Sequence, residues 1–223
     1  MNKYCLPIIK NTKKEVLKQL STKGYDFYEV WLDYIRDLDE KFISDMAKKY
    51  QSKLIVLFRR QNLEKIKLPI QKRQEWIKVL SKYPVLIDLD FLTQHEELET
   101  FTKIKTKSKL ILSFHNYKQT PSLDYLQNLI SKMKRFNQDF FKVATFCQKE
   151  SDNFILLNLL LSLREQKLKY IILGMGKNGL MARIFGAIWG NEINFAPKNL
   201  STKSAPGQLT KKSLELILKG LNV

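Results

Sequence analysis

The chain has 223 residues, of which 44% are hydrophobic and 27% charged, with only eight Gly and six Pro. This balance excludes disordered and fibrous classes and allows a sizeable core. The net charge of +17 comes from 32 Lys and 7 Arg spread along the chain, which reads as a lysine-coated surface and not as the clustered Arg with interleaved aromatics of specific nucleic-acid recognition.

Short apolar runs rich in Ile, Leu, Val and Phe alternate with stretches of helical period from one end to the other. The predicted strands are residues 4–9, 27–33, 53–58, 85–91, 109–114, 140–146, 170–175 and 192–196. Predicted helices lie within 12–24, 39–51, 68–82, 94–106, 122–136, 149–166 and 178–190, and a last one, 209–221, closes the chain, each with apolar residues near i, i+3/i+4 and i+7. The densest basic runs, "KRQEWIK" and "SKMKRF", carry that spacing too and read as wet faces of amphipathic helices. Eight βα units predict a (β/α)8 TIM barrel occupying residues 1–223 as a single domain; an open doubly wound sheet suits five or six units better. Cys5 and Cys147 form no metal motif or disulfide framework. The N-terminal residues lack an apolar signal-peptide core, and no run approaches the roughly 18 apolar residues of a membrane helix. A cytoplasmic protein with no membrane partner is the expectation.

Barrel chemistry sits at the C-terminal ends of strands, and the polar residues there form a set: Glu29 and Asp33, Arg59, Asp88 and Asp90, His115, and Lys142. A lysine inside the apolar run "DFFKVATF" is desolvated, which lowers its pKa and frees the amine to attack a carbonyl; the alternatives are snorkelling or pairing with Asp88 or Asp90. His115, one of two histidines, titrates where proton transfer needs it, although a lone histidine by a strand is often structural. Lysine and histidine on neighbouring strands suit chemistry alpha to a ketone. In "SAPGQ", Gly207 allows close backbone approach while Ser204 and Gln208 offer hydrogen bonds, which with Arg183 would suit a carboxylate.

The order of these motifs resembles the type I 3-dehydroquinate dehydratases of the shikimate pathway, over about four-fifths of the chain. "YEVWLD" looks like the family's E-x-R-x-D strand, "LFRR" its T-x-R segment, "LIDLDF" its D-x-E strand and "SFHNYKQTP" its S-x-H-D-F-x-x-T-P segment. "FFKVATFCQKESD" and "MGKNGLMARIFGAIWGNEINFA…SAPGQL" resemble the lysine segment and the closing run. The resemblance implies a cytoplasmic hydro-lyase, a homodimer, that converts 3-dehydroquinate to 3-dehydroshikimate and water through an imine, with no metal and no organic cofactor. It casts Lys142 as the imine-forming residue, His115 as general acid/base, Arg183, Ser204 and Gln208 as holding the substrate carboxylate, and Glu29 and Arg59 as holding its hydroxyls.

Three positions depart from the pattern. Trp31 stands where the family has an arginine, Asn116 where it has an aspartate, and Leu63 where it has the loop glutamate that orients the histidine, with Glu64 one place later. An active dehydratase in which Glu64 or another carboxylate replaces that glutamate is the leading reading. A degenerate or altered-specificity relative acting as a binding protein, and a polyanion binder resting on net charge alone, are the alternatives.

Overall fold

Each apolar run becomes a strand and each stretch of helical period a helix in the computed structural model, which describes residues 2–222. The order is β1 (Tyr4–Ile8), α1 (Lys13–Leu20), β2 (Phe27–Trp31), α2 (Glu40–Tyr50), β3 (Leu54–Leu57), α3 (Ile70–Leu80), β4 (Leu86–Asp90), α4 (His95–Lys103), β5 (Lys109–Asn116), α5 (Leu123–Met133), β6 (Phe140–Phe146), α6 (Asp152–Glu165), β7 (Tyr170–Met175), α7 (Leu180–Ile188), β8 (Asn194–Phe195) and α8 (Lys211–Gly220). Thr12, Asp39, Ser122 and Thr210 cap α1, α2, α5 and α8, each accepting a hydrogen bond from an orphan first-turn N–H.

The strands are parallel, in the hydrogen-bonded order β8-β1-β2-β3-β4-β5-β6-β7. The seam between β7 and β8 is held differently. Glu192 N–H donates to the Tyr170 carbonyl at 3.0 Å, and the buried Asn191 amide accepts from Ile172 N–H at 2.8 Å and donates to the Ile172 carbonyl at 2.9 Å. A side chain thus stands in for missing ladder bonds and brings the sheet to a nearly closed (β/α)8 barrel. Asn191 reaches this place over Gly186, where a Cβ would lie 2.5 Å from the amide nitrogen.

Strand parity sorts the side chains into two compartments. Val56, Ile87, Leu112, Val143 and Ile172 face outward into the main core under the helices. Ile55, Leu86, Ile111, Phe140, Ile171 and Phe195 fill the barrel itself. Above that apolar plug the same inward parity presents charged residues, and these make the site.

Two of the strand boundaries that differ from expectation bear on the site. β2 ends at Trp31 because Leu32–Tyr34 form a 3₁₀ turn. β5 runs on through His115 and Asn116, which pair with Ala144 and Thr145 of β6, so the histidine sits on a strand and not after it.

Candidate active site at the C-terminal mouth of the barrel

Glu29, Arg59, His115, Lys142, Arg183, Ser204 and Gln208 come together around one pocket, with Trp31, Tyr117 and Phe195 also in its wall. All seven are at most 9% exposed.

Lys142 projects inward from the middle of β6. Its Nζ donates to Asp88 Oδ2 at 2.7 Å and to Glu29 Oε1 at 3.0 Å, and lies 4.1 Å from the centre of the Phe195 ring. Burial alone would depress the ammonium, as the isolated strand suggests, but the charges of Asp88 and Glu29 outweigh it and hold the lysine above its usual value. The expected lowering is therefore corrected: the amine is an ammonium bridging two carboxylates, which combines the pairing alternative with one partner, Glu29, that strand reading did not assign. Asp88 is in turn held well below the usual carboxylate range: burial opposes this, but the charges of Arg59 and Lys142 prevail. Asp88 Oδ1 accepts from Ser113 Oγ at 2.6 Å and from Arg59 Nη2 at 3.2 Å.

His115 Nδ1 lies 3.0 Å from Asp90 Oδ2. Burial and the Arg59 charge push the imidazole down to about 4, against the pull of Asp90. The ring is therefore neutral near physiological pH, and with Nδ1–H directed at Asp90, the Nε2 lone pair is the free one. The Tyr117 ring stacks on it, 6.3 Å between centres and 18° between planes.

Across the pocket, Arg183 of α7 is buried with no hydrogen-bond partner for its Nε. Burial pushes the guanidinium down to about 10, with no carboxylate opposing the shift. Gln208 Oε1 accepts from Ser204 N–H at 2.8 Å and its Nε2 donates to Ser204 Oγ at 2.9 Å, fixing both polar groups in the loop before α8. Gly207 has φ +78°, and a Cβ there would lie 2.3 Å from the Gly176 carbonyl oxygen. Its close approach is thus to the loop after β7, tied to it by a Gly176 N–H to Pro206 carbonyl bond, and the glycine fixes the loop that carries Ser204 and Gln208.

Two predicted candidates lie elsewhere. Asp33 accepts from Lys67 N–H, Leu68 N–H and Arg60 Nη1, and so ties down the loop after β3. The Glu64 side chain is 62% exposed, 3.8 Å from Arg60 Nε, and does not reach His115. Trp31 was visible only as a departure from the family pattern: its indole N–H donates to Glu29 Oε2 at 2.8 Å. Tyr117 and Phe195 carry no sequence signal that separates them from core aromatics. Among the described residues no group of three or more His, Cys, Asp and Glu is arranged to hold a metal ion, and no helix is long and apolar enough to cross a membrane.

Comparison with known proteins adds an independent line. Residues 4–223 match the family model for type I 3-dehydroquinase. Curated relatives include the 3-dehydroquinate dehydratases of Pyrococcus abyssi, 29% identical over 95% of each chain, and Coxiella burnetii, 29% identical over 96% of this chain and 91% of the relative. Among solved structures, the 3-dehydroquinate dehydratase of Geobacillus kaustophilus superposes with a TM-score of 0.86 at 21% identity, covering all of this chain and 91% of that one. A type I enzyme from Clostridium difficile, solved with covalently modified comenic acid, gives 0.81 at 24% identity over 99% and 92%. With a barrel of eight parallel strands, a buried lysine and histidine at its mouth, and a family match across nearly every residue, the chain belongs to the type I 3-dehydroquinase family.

Proposed function

We propose that this protein is a hydro-lyase that dehydrates 3-dehydroquinate to 3-dehydroshikimate, with Lys142 as the imine-forming amine and His115 as the acid/base. The observation that carries the reading is the two-ended pocket: an amine and a neutral imidazole on one side, and on the other a buried arginine, Arg183, that no carboxylate among the described residues pairs with. An unpaired buried guanidinium is unfavourable until an anion meets it, and a substrate with a carboxylate at one end and a ketone at the other satisfies both sides. Ser204 and Gln208 supply further hydrogen bonds to the carboxylate, and Glu29 and Arg59 meet hydroxyls.

The chemistry follows from the protonation states. Lys142 first gives up its proton, for which the hydrogen-bonded Glu29 and Asp88 are the immediate acceptors. The free amine adds to the ketone, and loss of water from the adduct gives the imine. The imine withdraws electrons, so a proton leaves the adjacent carbon to Nε2 of His115, and the resulting enamine expels the hydroxyl beyond it, which takes that proton and departs as water. Hydrolysis of the imine returns Lys142. Glu29 and Asp88, at 3.0 and 2.7 Å from the nitrogen, stabilise each cationic form it takes. Assembly as a homodimer, which rests on the family resemblance alone, and a cytoplasmic location, which the cysteine usage suggests, belong to the same proposal.

The test is growth of the conjugated-enone absorbance when the purified protein meets 3-dehydroquinate. Signal from the wild type that is lost in Lys142→Ala supports the reading. A folded wild type that binds 3-dehydroquinate but produces no enone would favour the binding-protein alternative.

A further inference from the structure

The loop after β3 has no carboxylate within reach of the histidine, yet the histidine is not unsupported. We propose that Asp90, at the end of β4, is the residue that positions His115 and fixes its tautomer; this rests on the dehydratase reading for its catalytic consequence.

The geometry is built from the strands up. Asp90 pairs with Ser113 across the β4–β5 ladder, so the next inward residue of β5, His115, rises beside its carboxylate. The two oxygens have separate duties. Oδ1 accepts from Leu92 N–H at 3.1 Å, Thr93 N–H at 3.2 Å and Thr93 Oγ at 3.0 Å, and Asp90 N–H donates to the buried Gln94 side chain at 2.9 Å. The carboxylate is therefore anchored by the turn after β4 before it meets the imidazole, leaving Oδ2 for His115 Nδ1 at 3.0 Å, with Arg59 Nη1 at 4.0 Å. A carboxylate 1% exposed and fixed on one oxygen has little freedom, which is what an orienting group requires.

Glu64 is carried away from this place by its backbone. Asn62 and Leu63 both have φ +55°, and this left-handed pair turns the loop outward, so that Glu64 meets Arg60 at the surface. The charged and titratable groups around His115 are Asp88 and Asp90 from β4, Arg59 after β3, Lys142 from β6 and Tyr117 after β5. Of these only Asp90 hydrogen-bonds the ring.

Asp90→Asn keeps the side chain's shape and its capacity to accept from the Thr93 turn, but offers Nδ1 an amide donor, which favours the opposite tautomer. The expected result is a fall in kcat of about 10²–10⁴-fold, by analogy with a triad aspartate changed to asparagine, with KM little changed and the Lys142 imine still trapped by borohydride. Without the anion, the acid limb of the kcat profile moves to lower pH, and Asp90→Glu recovers part of the rate. Glu64→Gln leaves kcat, KM and the pH profile at wild-type values. Wild-type kinetics in Asp90→Asn, or the large kcat loss appearing in Glu64→Gln, overturns the proposal. A readout free of turnover separates it from the dehydratase reading: ¹⁵N chemical shifts should show His115 protonated at Nδ1 in the wild type and at Nε2 in Asp90→Asn. A wild-type ring protonated at Nε2 overturns the proposal even in an active enzyme, and the expected shifts in an enzyme inert towards 3-dehydroquinate support the positioning while removing the substrate assignment.

Discussion

Replacing Lys142 by alanine removes more than a nucleophile. The side chain is 4% exposed and its Nζ lies 2.7 Å from Asp88 and 3.0 Å from Glu29. With the ammonium gone, Asp88 keeps Arg59 and Ser113 while Glu29 keeps only the Trp31 indole N–H. Breaking a buried ion pair from one side costs about 3–5 kcal/mol because the remaining charge is uncompensated, a large share of a typical 5–15 kcal/mol stability but compatible with a folded protein. Asp88 loses one of the two cations that hold its carboxylate down, so its pKa rises in the variant. The destabilisation is then largest at about pH 8, where Asp88 is fully ionised, and shrinks as pH falls towards about 5 and the carboxylate freed of Lys142 becomes easier to protonate. Urea unfolding followed by circular dichroism at the two pH values measures this, and borohydride trapping with 3-dehydroquinate measures the imine. Lys142→Ala as stable as wild type at the higher pH would refute the charge bridge. Turnover by the folded variant would refute the imine, and the two failures are independent.

The acid sensitivity of the wild type is a second consequence. His115 is pushed from 6.5 down to about 4 by burial and Arg59, so its contribution to stability is full above 6.5, where both folded and unfolded forms are neutral. It is lost as pH falls towards 4, amounting to roughly 3 kcal/mol. The pH dependence of unfolding between those values should be steeper in the wild type than in His115→Gln, and equal slopes would contradict the buried neutral imidazole. Arg183→Met removes an unpaired buried cation, so the free protein should be as stable as wild type or more so, while KM for the carboxylate substrate rises by the equivalent of roughly 2 kcal/mol or more. A loss of stability with no change in KM would place the partner of Arg183 within the chain.

The barrel was legible because its signal is local and repeated: each strand announces itself by a short Ile/Leu/Val/Phe run and each helix by its period. What was hidden depends on neighbours distant in sequence. Nothing around residue 191 says that an asparagine amide will bond both backbone groups of Ile172 and complete the seam, which is why β8 is two residues long and not five. The site was legible as a list of residues and not as a set of partners. Parity places Lys142 inside the barrel, but its protonation is decided by Asp88 and Glu29, which lie 54 and 113 positions away. Burial without partners predicts a depressed amine, and burial with two carboxylates gives the reverse.

Trp31 shows the same dependence. Read along the strand, an aromatic in place of an arginine removes a charge from the floor of the site. In the folded barrel the indole N–H still donates to Glu29 at 2.8 Å, so the donor is kept and only the charge is lost. The ion-pair cluster around Lys142 then holds Arg59 and Lys142 against Glu29, Asp88 and Asp90, a local excess of negative charge. That excess works on the nitrogen of Lys142: it favours the ammonium at rest and equally favours every cationic form the nitrogen takes during imine chemistry. The carboxylate end of the substrate, by contrast, meets Arg183, which burial pushes down and whose pKa no carboxylate perturbs. The substitution therefore bears on proton transfer at Lys142 and leaves the anion-binding end of the pocket alone.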